Sequence, residues 1–89
     1  MADAAAFWNR IADKYAKHPI GNEAAYRRKL RETQQRLRSD MRVLEVGCGT
    51  GSTAIEHAPH VERILATDFS ERMIEIGRER ARDAGTTNI

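Results

Sequence analysis

The residues Glu45-Val46-Gly47-Cys48-Gly49-Thr50-Gly51 set an acid and three alternating glycines directly after a short apolar run. Glycine permits positive φ and lets a ligand lie close against the backbone. A loop that opens a helix also leaves backbone N–H groups unpaired, so an anionic group is welcome there. The spacing narrows the ligand. A dinucleotide fingerprint needs a third glycine where this chain has Ser52, and no Gly-Lys-Ser/Thr follows for a nucleotide-triphosphate loop. Glu45 would repel a pyrophosphate, but it suits an amino-acid ammonium or a cationic sulfonium.

The second acid is Asp68, seventeen residues past Gly51. A carboxylate about twenty residues beyond a glycine loop accepts hydrogen bonds from ribose hydroxyls in nucleotide-binding folds. Phe69 can pack on an adenine face, and Met73 can close the other side of that pocket.

These residues need strands and helices to hold them. Arg42-Val43-Leu44-Glu45-Val46 reads as a buried strand feeding the glycine loop, and Ile64-Leu65-Ala66-Thr67-Asp68 as a second one, near-continuously apolar and so parallel to the first. Between them a helix runs from Ser52 until Pro59 stops it. After them Ser70 caps a helix reaching about Ala84, with Met73, Ile74, Gly77, Ala81 and Ala84 inside and Gly85 at its end. Asn88-Ile89 looks like the start of a further strand. Ahead of this unit lie two helices. The first, from Asp3 to Lys17, carries Phe7, Ile11 and Tyr15 on one stripe, with Ala4, Trp8 and Ala12 beside it. His18-Pro19-Ile20-Gly21 breaks it. The second starts at the cap residue Asn22 and runs to about Ser39, with Tyr26, Leu30, Leu37 and then Met41 inward and a basic outer face.

With Val43 to Gly51 and Thr67-Asp68-Phe69-Ser70-x-x-Met73 in place, the chain resembles class I methyltransferases, notably the ubiquinone/menaquinone-biosynthesis-like group. The lead from Phe7-Trp8 to Tyr15 is similar to that group as well. The resemblance implies an α/β fold in which N-terminal helices (1–40) precede a β-α-β-α portion (41–89) of a Rossmann-like methyltransferase domain. It implies a methyltransferase that uses S-adenosylmethionine and methylates a small-molecule acceptor. Glu45, Gly47, Cys48, Gly49 and Gly51 then wrap the methionine portion, Asp68 holds the ribose, Phe69 and Met73 border adenine, and Tyr15 helps cover the cofactor. The alternative is a non-catalytic nucleoside-binding or interaction module derived from that fold.

Plainer roles exist for the same residues. A glycine turn can serve tight packing, Asp68 can flank a helix cap, and Phe7, Trp8 and Tyr15 can be core. Cys48 has no histidine beside it in sequence to activate it, so it reads as a loop residue presenting backbone. His18, His57 and His60 fall at turns and receive no catalytic role.

Composition sets the frame. With 40% hydrophobic and 31% charged residues the chain is not a disordered tail, and 89 residues allow one small core. The net charge of +2 conceals an imbalance: ten basic and five acidic residues up to Arg42, five and eight after it. No aromatic or glycine-rich RNA-binding signature accompanies the basic half, so nucleic acid is not an expected partner. A single cysteine and no zinc-like spacing predict a reducing, cytoplasmic setting. Met1 to Ala6 lacks the form of a leader, and no membrane span is expected. Two parallel strands expose two edges, which predicts a missing C-terminal portion or a homodimer.

Overall fold

The computed structural model describes residues 3–89; Met1 and Ala2, part of the stretch expected to lack leader character, lie outside the described residues. The element order is α1 (Ala4–Ala16), α2 (Glu23–Gln34), β1 (Arg42–Val46), α3 (Ser52–His57) with a 3-10 turn (Ala58–His60), β2 (Arg63–Thr67) and α4 (Glu71–Asp83). β1 and β2 pair in parallel, Val43 beside Ile64, Leu44 beside Leu65 and Glu45 beside Ala66. The α/β class and the parallel pairing are as the sequence predicts. Among the described residues no helix is long and apolar enough to cross a membrane.

Each long helix opens on a side-chain cap. Asp3 accepts from Ala5 N–H, Asn22 from Ala25 N–H and Ser70 from Met73 N–H. Such caps satisfy N–H groups that have no partner inside the helix, each contributing about 1 kcal/mol. α3 begins differently, on Gly51 at φ 82° with no side-chain cap.

Two clusters form the core. Ala54, Ala58, Val61 and Ile64 bury one sheet face under α3, with Leu37, Met41 and Val43 packed around them. Ala12, Met73 and Ile76 join α1 to α4, flanked by Trp8 and Ala16. The helical lead is therefore packed onto the strand-bearing part, α1 on α4 and α2 on α3.

Several sequence expectations are corrected. The buried stripe of α1 is Trp8, Ala12 and Ala16 rather than Phe7, Ile11 and Tyr15, because a fully buried alanine lets α1 lie close to α4. That turns Phe7 and Tyr15 outward. α2 stops a full turn early. Arg36 and Leu37 donate to the carbonyls of Thr33 and Gln34, a tightened i→i+3 ending that brings Leu37 onto the core under α3. Pro59 sits inside the 3-10 turn that continues α3. On α4 Ile76 is buried and Ala84 is exposed. The strands are covered on one face alone, since Leu44, Val46 and Leu65 are 63%, 80% and 64% exposed.

Asn88 meets the outer edge of β2. Its carbonyl accepts from Ile64 N–H at 2.9 Å, and its side-chain amide donates to the carbonyl of Ala58 at 2.8 Å. The C-terminal residues thus start alongside β2, where a third strand is expected from Asn88-Ile89.

Candidate functional site

The glycine loop leaves the end of β1 and returns at α3. Gly47, Gly49 and Gly51 take φ of 73°, 56° and 82°, values that residues with a Cβ adopt at a cost. At Gly47 and Gly49 an added Cβ would meet nothing within 4 Å, so both open onto free space. Gly51 is different, since an added Cβ would lie 3.5 Å from the Cα of Gly77 on α4. Gly77 is as tightly placed, its added Cβ 3.2 Å from the carbonyl oxygen of Thr50. Two glycines thus let α4 pass directly under the loop.

The loop is fixed to the neighbouring strand. Cys48 N–H donates to the carbonyl of Thr67 at 2.9 Å, and Thr67 Oγ1 donates to the carbonyl of Glu45 at 3.0 Å. Asp68, at the end of β2, accepts from Gly49 N–H through Oδ2 and from Ser70 N–H through Oδ1, both at 2.9 Å. This acid faces the glycine bend. It also supports the start of α4, the plainer role that its position beside the helix cap allows. An ionised carboxylate has about four acceptor positions, leaving capacity for hydroxyl donors.

A crevice of about 230 Å³ follows, lined by Gly47, Gly49, Asp68, Phe69, Met73, Trp8 and Tyr15. Phe69 and Tyr15 are more than half exposed, while Met73 is nearly fully buried and belongs first to the α1–α4 core. Trp8 meets Tyr15 edge to face at 5.9 Å, and Phe7 at 5.4 Å. These aromatic pairs fix a wall that comes from the lead helix.

Glu45 is half-buried, and its Oε1 is a buried oxygen without a hydrogen-bond partner. Burial pushes its carboxyl above the ordinary value of 4.5. Cys48 is also raised, by burial first and then by the negative charges of Glu45 and Asp68, which holds it as a neutral thiol. The thiol is thus poorly suited to nucleophilic attack. Among the described residues no group of three or more His, Cys, Asp or Glu is placed to hold a metal ion.

Sequence reasoning missed Asn9 and Arg80, and left Gly77 as an ordinary inward-facing residue. Asn9 Oδ1 accepts from Ser70 Oγ at 2.6 Å and from Arg72 N–H at 3.0 Å, joining α1 to the cap of α4. The signal was an amide next to the apolar stripe of α1. Arg80 reaches the glycine loop and the end of α1, a contact that no local pattern foretells.

With this geometry in view, the family described as a methyltransferase domain matches residues 43–89. The chain belongs to that family. The methyltransferase-domain chain is 33% identical over 52 residues to an uncharacterized methyltransferase, YcgJ, of Bacillus subtilis, covering 58% of this chain and 21% of that protein. It is 32% identical over 80 residues to a demethylmenaquinone methyltransferase of Leptospira interrogans, covering 82% of this chain and 32% of the relative. Among solved structures, YcgJ from Bacillus subtilis superposes with a TM-score of 0.65 at 28% identity, over 70% of this chain and 27% of that one. A dimethyladenosine transferase from Plasmodium falciparum gives 0.65 at 27% identity, over 80% and 26%. The chain spans about a fifth to a third of the length of these curated relatives. The neighbours carry the Rossmann-like methyltransferase fold expected from the sequence.

Proposed function

We propose that this chain is the cofactor-binding front of an S-adenosylmethionine-dependent methyltransferase acting on a small-molecule acceptor in the cytoplasm. In this reading residues 1–40 are a helical lead, residues 41–89 are the first half of the cofactor domain, and further chain or a second copy supplies the acceptor side. The observation that carries it is Asp68, held at the mouth of a three-glycine loop by Gly49 N–H and Ser70 N–H.

The residues fit such a cofactor. Gly47 and Gly49 leave room that a side chain would fill, and the unpartnered Oε1 of Glu45 lacks a donor or a cation. Asp68 would accept from the ribose hydroxyls, Phe69 would pack on adenine with Met73 behind it, and Tyr15 would cover the crevice. Glu45 would sit on the cationic side, with Cys48, Gly49 and Gly51 presenting backbone to the methionine portion. When bound, S-adenosylmethionine supplies a methyl group made electrophilic by its sulfonium. The task of these side chains is to hold and orient it, a proximity effect of up to about 7–11 kcal/mol in well-aligned cases.

The test is calorimetric titration of the full polypeptide that carries this segment with S-adenosylhomocysteine and with NAD. S-adenosylhomocysteine is expected to bind in the micromolar range and NAD far more weakly. Tighter binding of NAD, or no binding of the nucleoside thioether, would remove the proposal.

A further inference from the structure

Tyr15 also lines a second cavity, of about 370 Å³. Its polar lining includes His18, Tyr26, Thr50, Ser52, Thr53 and Arg80, and no Asp or Glu lines it. Arg80 projects from α4 and is only partly exposed. It donates through Nη1 to Thr50 Oγ1 at 2.8 Å and to Ser52 Oγ at 3.0 Å, and through Nη2 to the carbonyl of Ala16 at 2.7 Å.

All three partners are neutral. A guanidinium has five N–H donors, so two of them are left without a protein acceptor. Arg72, on the same helix, pairs with Asp13 and Glu75; among the described residues Arg80, like several surface arginines, has no carboxylate partner, but it is fixed by three neutral acceptors beside a cavity. The carbonyl end of α1 offsets its charge in part. A half-buried cation facing a cavity is costly to leave without a counter-charge, and planar guanidinium matches carboxylate in a two-pronged geometry. The nearby Tyr26 hydroxyl and Thr53 Oγ1, 3.0 Å apart, add hydroxyl groups on the same wall.

We infer that the Arg80 cavity is a carboxylate-binding subsite. The two cavities share Tyr15 as a wall, with Asp68 lining one and Arg80, which has no carboxylate partner, lining the other. A ligand that spans both cavities is thereby oriented, with its carboxylate toward Arg80 and its other end toward Asp68. The carboxylate has two possible sources, the amino-acid end of the cofactor or the methyl acceptor. The first source rests on the proposed function, whereas the second stands without it.

The experiment compares wild-type full polypeptide with Arg80→Met and Arg80→Lys, using S-adenosylhomocysteine and its decarboxylated analogue, which keeps the ammonium. If the cofactor's carboxylate occupies the subsite, wild type prefers S-adenosylhomocysteine by about tenfold to a hundredfold, in line with a charge-assisted pair. Arg80→Met erases that preference and Arg80→Lys retains part of it. If the acceptor supplies the carboxylate, no such preference exists, but benzoate raises the melting temperature of wild type and not of Arg80→Met. Equal behaviour of both nucleosides together with no Arg80-dependent benzoate effect overturns the subsite. Equal loss in the Met and Lys variants reduces Arg80 to a structural clamp and overturns it as well. Failure of wild type to bind either nucleoside defeats the proposed function, and the benzoate arm then decides the subsite alone.

Discussion

The two faces of the β1–β2 sheet are built from similar residues and meet opposite fates. On one face Val43 and Ile64, neighbours in register, lie under α3, and Ile64 is 2% exposed. On the other, Leu44 and Leu65 are also neighbours in register, yet both stand open. Strands alternate their side chains, so one crossover helix can cover one face of its own strands. Apolar character therefore states a demand for burial without stating where the cover comes from. The glycine loop belongs to the covered side in this respect. Its hydrogen bonds to Thr67 and Asp68, and its contact with Gly77, are complete within this chain.

The largest difference between the two faces is expected from a pair of truncations in the 89-residue chain, followed by urea unfolding. Ile64→Ala is expected to cost about 2–5 kcal/mol, the usual range for emptying a core site, and Leu65→Ala no more than about 0.5 kcal/mol. Equal costs would mean that the outer face is covered in solution. Next in size is Asp68→Asn, which keeps the shape and loses the charge that ties loop to strand. It should lower affinity for S-adenosylhomocysteine about tenfold to a hundredfold by titration, while NAD binding stays unchanged.

Gly77→Ala is a smaller and more local change. Alanine favours a helix over glycine by about 0.8–1 kcal/mol, but its Cβ would press on Thr50 at 3.2 Å. Net destabilisation of about 1 kcal/mol in thermal melts is expected, with weaker nucleoside binding because the loop must shift. A more stable protein with unchanged affinity would show that the loop is not held from below.

The smallest effect concerns Glu45 and depends on pH. Burial raises its folded-state carboxyl above 4.5, so the folded protein holds that proton more tightly than the unfolded chain. Stability from this group is present at low pH and falls as pH rises from 4.5 through the raised value. Glu45→Gln should flatten that fall and melt higher at pH 7. A cationic ligand beside Glu45 favours the ionised form, so wild-type affinity for S-adenosylmethionine should increase over the same pH interval. In Glu45→Gln it should be lower and flat. A pH-independent wild type would place the charge away from the ligand.

Much of this molecule was legible in advance where physics is local. Asn22 and Ser70 cap helices because short polar side chains reach N–H groups two or three residues on, whatever surrounds them. The glycine loop and Asp68 were readable because positive φ and a carboxylate after a strand are properties of residue type and spacing. The errors arose where distant segments compete. The buried stripe of α1 lies one residue away from the expected one because packing against α4 favours Ala12 at the contact over larger neighbours. The end of α2 was overrun because Leu37 is drawn to a core made of residues more than fifteen positions away.

The order of helices and strands, the parallel pair, the glycine bend and the acid that faces it are written in the chain, since each follows from propensity, spacing or charge within a few residues. Tertiary structure alone decided which leucines are covered, that Gly77 supports the loop, and that Arg80 meets Ala16 and Thr50 beside a cavity with no carboxylate lining it. Those outcomes depend on contacts between residues as far as sixty-four positions apart. Their energies arise from proximity that no local pattern encodes.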